Sequence, residues 1–179
     1  RDGSWLRVEV QLPGRRVRLR VWRAAVGRVP LFLLDANDPL NGPADRGITA
    51  KLYGGGAETR LLQELALGVG GWTALEVLGF EPEVCHLNEG HAAFAVLARA
   101  ASFARRHDLP FATALRATRA GNVFTTHTPV EAAFDRFEPA LMSRHAGPLV
   151  RECGLTEDAF LALGRKDPAD GNEPFHMGY

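Results

Sequence analysis

The chain has 179 residues, 46% of them apolar, and balances 21 Lys plus Arg against 21 Asp plus Glu for a formal net charge of zero. That length holds one core of ordinary domain size or two small ones, and the even charge excludes the basic footprint of a nucleic-acid binder. Two cysteines, Cys85 and Cys153, are too few for a disulfide framework or a thiolate metal site, and no apolar run reaches the roughly 20 residues of a membrane helix. No nucleic-acid partner, no membrane partner, no signal segment and a reducing, cytoplasmic setting are therefore expected.

Trp5 to Val10 alternates apolar and polar residues, Pro13-Gly14 offers a turn, and Arg16 to Arg23 alternates again, which predicts an antiparallel hairpin. Its second strand should turn Val17, Leu19 and Val21 toward a core and Arg16, Arg18 and Arg20 toward solvent. Val29 to Asp35 is a continuous apolar run with a polar exit and reads as a buried strand, followed by a long surface loop of turn formers from Asp35 to Gly47. A helix after Gly54-Gly55-Gly56 should bury Leu61, Leu62, Leu65, Leu67 and Val69 and leave Glu58, Arg60, Gln63 and Glu64 polar. Gly68 to Gly71 is expected to break it before a second helix, Trp72 to Leu78, that Gly79 closes. Further helices are predicted from about Ala92 to Arg106, from Pro110 through Thr118, from Pro129 to about His145, and up to Leu163 after Thr156. Asp167 to Tyr179 shows no period.

Two stretches stand out, Val84-Cys85-His86-Leu87-Asn88-Glu89-Gly90-His91 and Val123-Phe124-Thr125-Thr126-His127-Thr128-Pro129. Each is a short apolar run that breaks into polar residues around histidine and leads into a helical segment, as buried parallel strands do when they deliver reactive groups to the carboxyl edge of a sheet. Gly90 is expected to make the sharp turn by adopting a positive φ, with Asn88 or Glu89 capping the next helix. The order strand, helix, strand, helix from Pro30 onward predicts an α/β fold with a mainly parallel sheet, flanking helices and an N-terminal antiparallel β-hairpin. The parallel set supplies fewer than the about five strands of a doubly wound sheet, so an apolar sheet edge is left to be buried, for example by a second copy in a homo-oligomer. His86, Glu89 and His91 lack the spacing of a helical His-Glu-x-x-His set and no metal is expected; His86 is read as a buried strand residue.

The segments Arg46-Gly-Ile-Thr49, Leu52-Tyr53-Gly54-Gly55, Glu58-Thr-Arg60-Leu61-Leu-Gln63-Glu64, His86 to Phe94 and Phe124 to Val130, in this order, resemble α-glucan (glycogen or starch) phosphorylase in its shorter bacterial and archaeal form. The resemblance covers nearly the whole chain. It implies that residues 1–179 are one partial domain, part of the N-terminal Rossmann-like domain of a two-domain enzyme with the glycosyltransferase-B architecture, the C-terminal cofactor domain being absent. Such enzymes use inorganic phosphate to release glucose 1-phosphate from an α-1,4-glucan. Their pyridoxal phosphate is a Schiff base on a lysine of the C-terminal domain, so no cofactor is expected in this segment, which alone should be inactive; neither Lys51 nor Lys166 sits in such a motif. His127 matches the family histidine beside the terminal glucose, whose main-chain carbonyl can stabilise a developing oxocarbenium ion and whose ring can bond the 6-hydroxyl. Glu89 and His91 match the residues lining that glucose pocket, with Asn88 and Thr128 completing the expected substrate-binding set. Gly54, Gly55 and Gly56 correspond to the gate of longer relatives. The chain departs from the short form at Gly56, where Asp is usual, and at Glu131-Ala132-Ala133-Phe134, where Pro-Ala-Gly-His is usual. A nucleotide-sugar-dependent glycosyltransferase and a stand-alone carbohydrate-binding module are the alternative readings.

Overall fold

The computed structural model describes residues 4–52, 54–128, 130 and 134–179. Strands β1 (Arg7–Leu12), β2 (Arg15–Val26) and β3 (Val29–Asp35) form an antiparallel sheet in the order β1-β2-β3, with Val8 opposite Leu19 and Val10 opposite Val17. The two-residue alternation explains the faces: Val8, Val10, Leu12, Val17 and Leu19 are all buried, while Arg16 and Arg18 pair with Glu9 and Arg20 with Asp35 on the other face. The three arginines of the row are thus paired with two neighbouring carboxylates.

The strand predicted at Val29 to Asp35 exists, but it is neither parallel nor buried. It pairs antiparallel with β2, Val21 opposite Leu34 and Trp22 opposite Leu33, and leaves Val29, Leu31 and Leu33 exposed at an open edge. Only two residues separate β2 from β3, which permits a hairpin and forbids the long crossover that a parallel pair needs. The following loop is also less superficial than its turn formers imply. Asp38 is fully buried and accepts a 2.6 Å hydrogen bond from Arg7 Nε, and the buried Asn41 amide bridges the backbones of Arg18 and Ala36 before the short helix α1 (Pro43–Arg46).

Helix α2 (Ala57–Leu65) runs without a break through a π-helical turn (Ala66–Gly70) into α3 (Gly71–Val77). The glycines predicted to stop it are there for contact: a Cβ on Gly68 would lie 2.7 Å from Phe94 Cβ and 2.8 Å from the Ala95 nitrogen, and one on Gly70 2.5 Å from Leu19 Cδ1. Strand β4 (Cys85–Asn88) then pairs in parallel with β5 (Asn122–Thr125), Leu87 opposite Phe124 and Asn88 opposite Thr125, across a turn of 3₁₀ helix (Gly90–Ala92), α4 (Phe94–His107) and α5 (Phe111–Arg119). The buried Arg99 clamps the start of both strands, donating to the carbonyls of Glu83 and Gly121 and to Asn122 Oδ1.

The helix predicted from Pro129 starts ten residues later. Pro129, Glu131, Ala132 and Ala133 lie outside the described residues; a two-residue strand β6 (Arg136–Phe137) comes next, then α6 (Pro139–Glu152), with Pro139 in its first turn. The residue before a proline is disfavoured in the helical region, which places extended Glu138 as the boundary. After α7 (Glu157–Ala162), capped by Thr156 Oγ1 on the Ala159 amide, the unpatterned tail supplies β7 (Phe175–His176), antiparallel to β6. Phe175 stacks on Phe94 and Phe160, so this tail closes the core rather than trailing from it.

The architecture is mixed α/β. Among the described residues, however, the three-stranded sheet and the β6–β7 pair are antiparallel and only β4–β5 is parallel, so the expectation of a mainly parallel sheet is not met. No helix among the described residues is long and apolar enough to cross a membrane.

Candidate active site

The peptide after β4 turns at Glu89, not at Gly90. Glu89 has φ 56° and ψ −169°, a region populated almost only by glycine, whereas Gly90 keeps an ordinary φ and packs its bare Cα against Met177. Three bonds hold Glu89 in this conformation. Its amide donates to the Thr125 carbonyl at 2.8 Å, continuing the parallel ladder. Its Oε1 accepts the main-chain N–H groups of His127 at 2.9 Å and Thr128 at 3.2 Å. A non-glycine residue in this region is a strain that the surrounding structure must over-determine, and here the carboxylate does so from both strand ends at once. Neither Asn88 nor Glu89 caps a helix with its side chain.

Glu89 is buried at 3% exposure. The His127 amide above all holds its carboxyl below the usual carboxylate range, against the opposing effect of burial, with help from the Thr126 and Thr128 hydroxyls and the Thr128 amide. A fixed negative charge therefore lies beneath the 126–128 loop. The His127 ring projects outward, 62% exposed, with Nδ1 3.5 Å from Glu89 Oε1 and 3.5 Å from Thr128 Oγ1. Asn88, exposed at the end of β4, sits in register with Thr125. Of the residues singled out in the sequence, Glu89, His127 and Thr128 are thus bonded together, with Asn88 on the adjoining strand end.

His91 faces a second cluster. Its Nδ1 lies 2.7 Å from Arg60 Nη2, 3.7 Å from Glu64 Oε1 and 3.8 Å from Asp135 Oδ2, and its ring lines a cavity of about 280 Å³ with Thr49, Lys51, Leu52, Gln63 and Leu67. Gly54, Gly55 and Gly56 form a turn ahead of α2 but do not line this cavity, which Lys51 and Leu52 border instead; Tyr53 lies outside the described residues. The partners in this cluster escaped the sequence reading. Glu64 is not on a polar face: it is 1% exposed. Arg60 and Gln63 are not simply solvated either. Arg60 Nε donates to Asp135 Oδ2 at 2.9 Å, and Gln63 ties down the carbonyls of Ile48 and Lys51. The available signal was position, since Glu64 lies three residues after the buried Leu61 on one helical face.

His86 is a correction. Its side chain is exposed, not packed inside, and its Nε2 bonds Thr125 Oγ1. Period two explains this, because Leu87 is the inward residue of β4 and its neighbours must face out. The metal reading of His86 with Glu89 and His91 has no geometric basis here. Glu64, His91 and Asp135 do place one ligand atom each within 4.8 Å of one another, but the Arg60 guanidinium already supplies the cation there.

No protein-family model matches the chain. It is 43% identical over 164 residues to the maltodextrin phosphorylase of Thermococcus litoralis, covering 92% of this chain and 19% of that protein. It is 41% identical over 190 aligned positions to the glycogen phosphorylase of Mycobacterium tuberculosis, with 99% and 22% covered, and 32% identical over 174 to that of Aquifex aeolicus, with 96% and 25% covered. The chain spans about a fifth to a quarter of the length of these curated relatives. Over nearly all of its own length, then, it is similar in sequence to one segment of the glycogen and maltodextrin phosphorylases.

Proposed function

We propose that the chain is a segment of the N-terminal domain of a cytoplasmic α-glucan phosphorylase with the glycosyltransferase-B architecture, and that the β4 and β5 ends form one wall of its glucosyl site. The observation that carries this is the buried Glu89 carboxylate accepting both the His127 and Thr128 amides. The N–H and C=O of a trans peptide point in opposite directions, so a Thr128 N–H directed at Glu89 turns the His127 carbonyl away from it, toward the exposed side where His127 projects. A fixed carbonyl dipole there can stabilise positive charge developing on a sugar ring, without reorganising as the charge appears. The His127 ring and the Asn88 and Thr128 side chains are positioned to bond sugar hydroxyls. Glu89 is a positioning group in this reading, buried and already occupied by the loop.

The phosphorylase cofactor does not fit the residues present. Lys51 and Lys166 are the two lysines, both are exposed, and Arg60, which lines a cavity with Lys51, is already engaged by Asp135. Pyridoxal phosphate belongs to the C-terminal domain in this reading, and any contact between copies to the exposed edges at β3 or β5. The test is glucose 1-phosphate release from maltodextrin and phosphate. The whole protein carrying this segment should form it and the isolated 179-residue chain should not. Glucose 1-phosphate from the isolated chain, or a Schiff-base absorbance that survives dialysis, would contradict the cofactor assignment; turnover of a nucleotide sugar in place of phosphorolysis would contradict the family reading.

A further inference from the structure

The Arg60 cluster contains an unbalanced group. Among the described residues, neither carboxyl oxygen of the buried Glu64 has an N–H or O–H donor directed at it. Arg60 Nη2 comes within 3.3 Å of Oε1 without hydrogen-bonding it, while Nε bonds Asp135, Nη2 bonds His91 and Nη1 bonds Gln63. An ionised carboxylate buried without donors is among the costliest arrangements in a protein. Glu64 and Asp135 each place a carboxylate oxygen within 4.8 Å of the other, and two carboxylates can hydrogen-bond only through a proton.

We infer that Glu64 is a neutral carboxylic acid that shares its proton with Asp135, and that this pair, through Arg60, holds the His91 ring with its proton on Nε2. The second half follows from donor counting. Arginine can only donate, so His91 Nδ1 accepts from Arg60 and the proton of the neutral ring is on Nε2. Three elements close the cluster: α2 brings Arg60 and Glu64, the 3₁₀ turn brings His91, and the segment before β6 brings Asp135. Lys51 is the other charged group bordering the cavity. With Arg60 positive, Asp135 negative and Glu64 neutral, the one guanidinium is balanced by one carboxylate. Glu64, Asp135 and Arg60 are then positioning residues for His91, a role that rests on the placement of His91 by the glucosyl site.

Burial of Glu64, reinforced by Asp135, pushes its carboxyl from 4.5 up to about 9. Below pH 4.5 it is neutral folded or unfolded and its stabilising contribution is complete. As pH rises toward 9 the unfolded chain sheds the proton that the folded chain keeps, so this contribution declines. Asp135 is shifted the other way and is ionised in both states above pH 5, so of the two carboxyls only Glu64 contributes between pH 5 and 8, and subtracting the parent from the variant removes what the two share. Two measurements on the chain itself, neither using activity, test the inference. In thermal unfolding, Glu64→Gln keeps a neutral donor, so the variant's melting temperature minus the parent's should rise by about 5 °C or more from pH 5 to pH 8. A difference that stays flat or falls with pH would overturn it, since Glu64 would then be an ordinary or ion-paired carboxylate. If Glu64→Gln does not fold, side-chain carboxyl ¹³C titration of the unmodified chain decides, and an ionised Glu64 at pH 7 refutes the assignment. In ¹⁵N-labelled histidine spectra, assigned by loss of signals in His91→Gln, the His91 Nδ1 should be unprotonated and Nε2 protonated; Arg60→Met should mix the two tautomers. A proton on Nδ1 in the parent, or an unaltered tautomer in Arg60→Met, contradicts the positioning role.

Discussion

Replacing Gly90 by Ala probes how the site is mounted on the core. Gly90 has no unusual φ, so the alanine backbone is unstrained and the whole effect is steric. The new Cβ would lie 2.8 Å from Met177 Cβ, 3.0 Å from the Met177 carbonyl oxygen and 3.1 Å from its carbon. Carbon atoms rest at about 3.5–4.0 Å, so the 3₁₀ turn and the tail must part by about 1 Å. Met177 is 3% exposed and its amide donates to the Asp135 carbonyl, so it cannot yield by rotating one flexible end. Overpacking of this kind costs about 1–3 kcal/mol, which for a chain of this size lowers the melting temperature by roughly 2–12 °C. The assay is thermal and urea unfolding beside Gly171→Ala, where a Cβ meets nothing within 4 Å and the change should stay within about 0.5 kcal/mol. If Gly90→Ala melted with the parent, the tail would not be packed under the turn, and the route from Met177 to Asp135 would be wrong.

Gly121→Ala should be more damaging, because its Cβ would meet the Glu83 carbonyl at 2.3 Å and Arg99 Nη2 at 2.6 Å, both at the clamp that starts β4 and β5. A loss of about 3 kcal/mol or more in urea unfolding is expected, and a neutral variant would show that Arg99 does not set the strand spacing. His86→Ala should shift stability by no more than about 0.5 kcal/mol, since the side chain is exposed; a large drop in melting temperature would restore the buried reading.

The parts of the fold that could be read from the sequence are those fixed by local alternation and turn chemistry. Val8 to Leu19 shows its two faces in its pattern, and Pro13-Gly14 fixes the register. Val29 to Asp35 misleads because a continuous apolar run has no face, and only the two-residue link to β2 dictates an antiparallel partner. Glycine has two uses, positive φ and close approach, and sequence does not say which applies. At Gly68 and Gly90 the contact with Phe94 and Met177 governs, and the positive φ falls on Glu89, where three hydrogen bonds outweigh the strain. The candidate site was half legible: His127 and Glu89 stand at strand ends in recognisable motifs, whereas the Glu64, Arg60 and Asp135 cluster depends on residues up to 75 positions apart, whose meeting no local period encodes.

The central claim, that the β4 and β5 ends wall a glucosyl site with His127 against the sugar, is tested most directly by steady-state phosphorolysis with His127→Ala in the whole protein that carries this segment. The exposed ring supports little of the core, so the variant should fold and melt close to the parent. Losing a hydrogen bond that strengthens as the sugar ring flattens should lower the turnover number roughly 30-fold to 1000-fold, with a smaller change in KM. Near-parental turnover, or activity lost only in proportion to folded protein, would contradict the assignment.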